Sequence, residues 1–192
     1  MIFLILGLTL FLGIHSTRIF APTWRDRQIA RFGAGGWKGL YTLLSLVGFG
    51  LIVWGYGEAR TAPMILWTPP TAMKHIAALL TLLAFPLVVA AYIPRNHLKA
   101  KIGHPMYAGV KLWAFSHLLA NGSLADVLLF GGFLAWSVVG FVSSRKRDRS
   151  AGATYPAGEL VRTILVLVIG VAAWAGFAMW AHGAWIGVRP FG

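Results

Sequence analysis

The chain carries six histidines and no cysteine. Three of those histidines, His15, His104 and His117, fall within or at the end of long apolar runs. An ionisable ring is costly in hydrocarbon, so each is a candidate for function. His15 shares one helical face with Leu4, Leu8, Phe11 and Arg18, at spacings of three and four residues. His104 opens the phrase His104-Pro105-Met106-Tyr107. Proline suits the first turn of a helix, which puts His104 at the N-cap, where the positive dipole end favours a neutral imidazole. Neutral imidazole is the form that ligates metals. His117 lies about 18 Å further along the same helix at 1.5 Å per residue. It shares a face with Val110, Ala114 and Asn121, and Asn121, one turn on, is placed to orient it. His104 and Lys111 lie on a different face, turned by roughly a third of a circle. Two neutral imidazoles from different helices can hold a haem iron from both sides. They can equally form a proton relay or glue helices together. His75, His97 and His182 read as interfacial or helix-end residues with no role.

Other chemistry is absent. There is no Gly-x-Gly-x-x-Gly, no P-loop, no His-Glu-x-x-His and no Gly-x-Ser-x-Gly. Without cysteine there is no disulfide, thiolate nucleophile or thiolate ligand. The carboxylates are Asp26, Glu58, Asp126, Asp148 and Glu159, and none falls mid-span, which argues against a carboxylate-driven transporter.

The elements that must position these residues are transmembrane helices. Apolar residues make up 58% of the 192 positions and charged residues 11%, with a mean hydropathy of +0.72. A soluble domain is about one quarter charged. Six stretches approach the roughly 20 apolar residues of a span: about 1–20, 39–57, 73–94, 106–121, 124–143 and 161–181. The fourth is the weakest, being short and carrying Lys111 and His117. The first lacks the basic start and small-residue cleavage site of a signal peptide, so it reads as a retained span. The fold class is therefore all-α, an integral membrane bundle in one domain, 1–192.

The net charge is +12, from 17 Lys and Arg against 5 Asp and Glu. In a soluble chain that would suggest nucleic acid. Here 13 of the basic residues fall in the first, third and fifth loops, 3 in the remaining segments, and Lys111 within a span. That alternation is the positive-inside pattern. It predicts six crossings, both termini on the non-cytoplasmic side, the bilayer as the main partner and no nucleic acid. Trp24, Trp37, Trp54, Trp67, Trp180 and Trp185 lie near span ends, as interfacial anchors do. Pro86 predicts a kink in the third span. Gly48, Gly50, Gly55, Gly131, Gly132, Gly170 and Gly176 predict close helix packing. The polar stretch 144–158 reads as the most flexible, with a basic run able to touch anionic headgroups.

The phrase running from His104-Pro105-Met106-Tyr107 through Trp113-Ala114-Phe115-Ser116-His117-Leu118-Leu119-Ala120-Asn121-Gly122 resembles the NnrU family. So do His15-Ser16 before a basic stretch and Gly39-Leu40-Tyr41 opening the second span. The similarity covers nearly the whole chain. It implies a bacterial inner-membrane protein linked to denitrification, an accessory factor for nitrite and nitric oxide reduction. Its partners would be a respiratory reductase or a hydrophobic small molecule. The family is similar in turn to plant 15-cis-zeta-carotene isomerase, a haem b enzyme. That likeness implies haem b held by His15 and His117, with His104 as a further ligand or pocket residue and Asn121 as an orienting group. It also raises a redox isomerase as a related activity. The His-Pro-x-Tyr phrase also looks like the membrane methyltransferases that use S-adenosylmethionine, which carry a paired Glu near the C-terminus where this chain has Glu159 alone. A third reading is a non-catalytic assembly factor, so whether the chain is an enzyme stays open. One geometric condition bears on the haem expectation. The span ends place His15 and His117 roughly 10 Å apart in depth, whereas axial nitrogens on one iron sit about 4 Å apart, at near 2 Å per bond.

Overall fold

A computed structural model describes residues 1–191 of the chain. Its helices are α1 (Ile2–Phe20), α2 (Pro22–Ala59), α3 (Ala72–Tyr92), the short α4 (His97–Ile102), α5 (Pro105–Ala120), α6 (Leu124–Ser150) and α7 (Leu160–Gly176). The last continues as a π-helical segment, Phe177–Ile186. No strand is formed among the described residues, as expected for a chain whose backbone groups must pair internally in lipid. Five helices are long and apolar enough to cross a membrane: α1, α2, α3, α6, and α7 with its continuation.

The helices pack as a row rather than a closed bundle. The neighbours in order are α2, α1, α6, α5, α3 and α7, with α2 also touching α6. Large apolar side chains such as Leu43, Leu46, Val161 and Val168 stay exposed, as they do on helices that face hydrocarbon. Close backbone approach is set by glycine. A methyl on Gly7 would lie 2.6 Å from the Ile52 nitrogen, and one on Gly48 would lie 2.8 Å from that of Phe11. Gly55 meets the Leu4 backbone in the same way. These positions form the α1–α2 seam, where lipid supplies no hydrophobic drive and packing must. Of the glycines expected to pack helices, Gly48, Gly55 and Gly170 do so, the last making room for Pro86 of α3. Gly50, Gly131 and Gly176 face open space.

Two expectations are refined. The basic segment before the second span is not a loop. Residues from Pro22 onward are already helical, and α2 breaks only at Gly33, whose φ of 74° lies outside the helical range. Glycine carries that conformation at no steric cost. The fourth span, α5, has 16 residues and so is about 24 Å long, short of a core near 30 Å. It still joins the two ends of the molecule. Its far end is fixed by the Gly122 carbonyl, which accepts from the Leu66 and Trp67 amides of the α2–α3 loop at 2.8 and 3.2 Å.

The same end holds the Met1 ammonium, 3.6 Å from Glu58, and the Ile186 carbonyl, which accepts from Arg60 at 2.7 Å. The opposite end gathers the basic loops. There Arg95 pairs with Glu159 at 2.7 Å, and the His97 amide donates to Thr163 at 3.0 Å. The start of the chain and the end of the last helix thus share one end, as an even number of crossings requires.

Candidate functional site

His15 sits on α1 four residues beyond Phe11, and its Nδ1 lies 2.7 Å from the Phe11 carbonyl oxygen. A carbonyl only accepts, so Nδ1 carries the proton. In the neutral ring Nε2 is then the bare acceptor, and among the described residues it has no partner. The imidazole stacks on Phe11 with centroids 4.2 Å apart. Tyr41 of α2 closes one side at 5.0 Å. Trp136 of α6 presents an edge at 6.1 Å.

Trp136 is the unusual neighbour. Its Nε1 is buried and hydrogen-bonded to nothing among the described residues. Such a group costs free energy unless something pairs with it. Tyr107 of α5 lies 5.0 Å from the Trp136 ring, and Gly140, one turn along α6, leaves room for the phenol: a methyl there would collide with it. The Tyr107 and Tyr41 hydroxyls lie within electrostatic reach of each other and also lack a protein partner among the described residues. Side chains from α1, α2, α5 and α6 therefore form one ring cluster in which His15 Nε2, Tyr41 Oη, Tyr107 Oη and Trp136 Nε1 have no partner among the described residues, and of these atoms only Trp136 Nε1 is fully buried.

At the basic end this cluster adjoins a second, satisfied one. His104, at the N-cap of α5, has its ring 6.4 Å from that of Tyr107. Its Nε2 donates to Asp148 Oδ2 at 2.8 Å. The Tyr155 hydroxyl donates to the same oxygen at 2.5 Å and stands 3.1 Å from His104 Nε2. Tyr155, with His104 and Arg145, holds the Asp148 carboxyl below its ordinary range. Partial burial, with Asp148 beside it, pushes the Tyr155 phenol up. The triad pins the α6–α7 linker over the start of α5.

His117 is held elsewhere. Its Nδ1 donates to the Trp113 carbonyl at 2.9 Å, and its ring stacks on Phe130 at 4.6 Å. Its Nε2, like that of His15, has no partner among the described residues. Asn121 does not orient the imidazole: its side-chain amide donates to the His117 carbonyl at 2.9 Å, closing the end of the helix.

The structure does not bring His15 and His117 together. α6 serves as a ruler: His15 lies beside Trp136 and His117 beside Phe130, six residues apart, or about 9 Å of rise. Between them stand Phe11, Phe133 and Trp113, each in ring contact with the next. As the two axial ligands of one iron they do not fit. A single axial position is different. His15 has the tethered Nδ1–H and open Nε2 usual for an iron-bound histidine, and donors stand around it. Among the described residues no group of three or more His, Asp or Glu could hold a bare metal ion.

Sequence reasoning missed Tyr41, Trp136, Asp148 and Tyr155 as site residues. Tyr107 had a signal, three residues from His104 and hence on its face of α5. Asp148 had another, as the one acid within the run Arg145–Arg149. Glu159, which the methyltransferase likeness singles out, is engaged by Arg95 and Arg162 at 2.7 and 3.3 Å.

A family profile described as NnrU protein matches residues 3–190. The chain belongs to the NnrU family. No curated protein and no solved structure matches it. The NnrU match takes in every residue of both clusters, so the site is internal to the family's domain and not an appendage to it.

Proposed function

We propose that this NnrU-family protein holds a lipid-soluble redox cofactor, haem b, in the basic half of the membrane with His15 as its protein ligand. The reading includes an orientation. The basic end faces the cytoplasm of a bacterial inner membrane, by the positive-inside rule, and both termini lie outside. The observation that carries the proposal is the buried, unpaired Trp136 Nε1 beside the His15 ring, in a cluster where Tyr41 and Tyr107 also lack hydrogen-bond partners among the described residues. Hydrocarbon gives such groups no water to bond, so a ligand with polar edges is their natural complement.

The residues divide the work. His15 offers a lone pair whose direction is fixed by the Nδ1 tether to Phe11. Tyr41, Tyr107 and Trp136 offer donors to carboxylate or carbonyl oxygens at the ligand's edge. His104, Asp148 and Tyr155 close the site toward the basic end. Haem would supply a one-electron redox centre, suited to an accessory factor in nitrite and nitric oxide reduction. Purification after haem supplementation, followed by pyridine haemochrome assay, tests the reading. Saturation near one haem per chain is expected, and protein that stays haem-free under supplementation overturns it. Near-normal complementation of nitrite-dependent growth by a His15→Ala, His104→Ala, His117→Ala variant would instead favour a scaffold without chemistry.

A further inference from the structure

A second site lies on another part of α5, and it is carried by a charge with no counter-charge. Lys111 is six residues past Pro105, about 9 Å along the helix. Every carboxylate side chain among the described residues is already engaged: Asp26 by Arg25, Glu58 by the Met1 ammonium, Asp126 by Tyr56 and Ser123, Asp148 by His104 and Tyr155, and Glu159 by Arg95 and Arg162. Among the described residues Lys111 has no ion pair and no hydrogen bond. Its one electrostatic neighbour is the Phe141 ring, with Nζ 5.1 Å from the centroid.

The apolar stem of Lys111 lines an open groove of about 460 Å³ between α5 and α6, together with Ala108, Leu112, Phe115 and Leu134, while its ammonium lies beyond the groove against Phe141. The α5 residues recur at three and four, one stripe of the helix. On α6, Leu134, Phe141 and Arg145 fall seven and four residues apart and make the facing stripe. The groove is therefore apolar along its depth, with the Lys111 ammonium beyond it toward the basic end and Arg145, itself 3.9 Å from Asp148, one turn further along α6. Lys111 bends its amine toward Phe141, the direction in which lysine reaches for headgroups.

We propose that this groove is a binding site for an anionic phospholipid, with one acyl chain along Leu112, Phe115 and Leu134 and its phosphate on Lys111, with Arg145 beside it. The shape suits a chain, and the unbalanced cation supplies the selectivity that a neutral groove lacks. The site is separate from the His15 cluster and does not depend on what that cluster binds.

Native mass spectrometry of the full-length protein, taken from mixed micelles holding equal phosphatidylglycerol and phosphatidylcholine, tests it. The wild type is expected to retain phosphatidylglycerol in preference. Lys111→Met keeps the length and apolar character of the stem and should lower that preference about fivefold, the worth of one basic residue at a membrane surface. Lys111→Arg should restore it. Lys101→Gln, which removes a charge from the same end outside the groove, should leave it unchanged. Equal retention of the two lipids by the wild type, or an undiminished preference in a folded Lys111→Met protein, overturns the proposal. Loss of the bound lipid on adding inorganic phosphate would also overturn it, because it would show that the acyl chain contributes nothing.

Discussion

Two clusters along the α6 helix, one at its Met1 end and one around Trp136 at its middle, treat polar groups in opposite ways. At the Met1 end they are closed among themselves. Asp126 accepts from the Tyr56 hydroxyl at 2.5 Å and from the Ser123 hydroxyl and amide at 2.6 and 2.9 Å, while its own amide returns a bond to Ser123. Asn121 ties off α5, and the side-chain nitrogens there that lack a partner among the described residues, such as His117 Nε2 and Trp113 Nε1, are not fully buried. Around Trp136, the rings of His15, Tyr41 and Tyr107 pack together with no hydrogen bond among them, and Trp136 Nε1 is left buried without a partner among the described residues. A satisfied network in lipid fixes a fold, and an unsatisfied one is the signature of a ligand. The Met1 end is therefore read as structural and the His15 cluster as functional, although both carry intramembrane histidines.

This contrast is breakable. The largest effect is expected at Asp126. Asp126→Ala strips the α6 capping box and strands the Tyr56 hydroxyl, so thermal unfolding in detergent should show a loss of about 2–4 kcal/mol. His15→Ala should leave the melting temperature within a few degrees of the wild type while removing the cofactor. A larger destabilisation by His15→Ala than by Asp126→Ala would reverse the assignment of the two regions. Next in size is Gly140→Leu. The new side chain must displace Tyr107, and overpacking of this kind costs about 1–3 kcal/mol, together with loss of ligand binding.

A subtler change sharpens the comparison. Trp136→Phe removes a buried donor that has no partner, so the ligand-free protein should be unchanged or more stable by up to about 1 kcal/mol. Its cofactor affinity should fall by about fivefold to tenfold, the value of one hydrogen bond near 1 kcal/mol. A loss of stability without a loss of affinity would mean that Trp136 is a packing residue.

The smallest effect concerns pH at the basic end. Asp148 has its folded pKa depressed from 3.8. Its contribution is thus fully present above that value and fades as pH falls through the depressed one. For Tyr155, raised from 10.0, stability declines as pH climbs past 10.0. Proteolysis of the α6–α7 linker against pH should show protection between these limits and none of that dependence in Asp148→Asn.

Much of this fold was readable because a bilayer imposes length and polarity on every span. Five expected spans coincide with long apolar helices. The helical start of α2 was not foreseen, because Arg25, Arg27 and Arg31 read as loop charge when they decorate an interfacial helix. The site was half legible. Lone histidines in apolar runs pointed to His15. Pairing it with His117 depended on depth, and depth is decided by how α1 and α5 slide against α6. Tyr41 stood in the family phrase Gly39-Leu40-Tyr41 without a role, and Trp136 carried no signal, since an aromatic ring in a span is ordinarily packing, and only the structure reveals a polar atom left without a partner.

The most direct test is the absorption spectrum of three haem-supplemented proteins: wild type, His15→Ala and His117→Ala. One haem on His15 alone predicts a Soret band in the wild type, its loss in His15→Ala and its survival in His117→Ala. Equal loss in both variants would mean that the two histidines share the iron after all, against the separation that places them on different levels of α6.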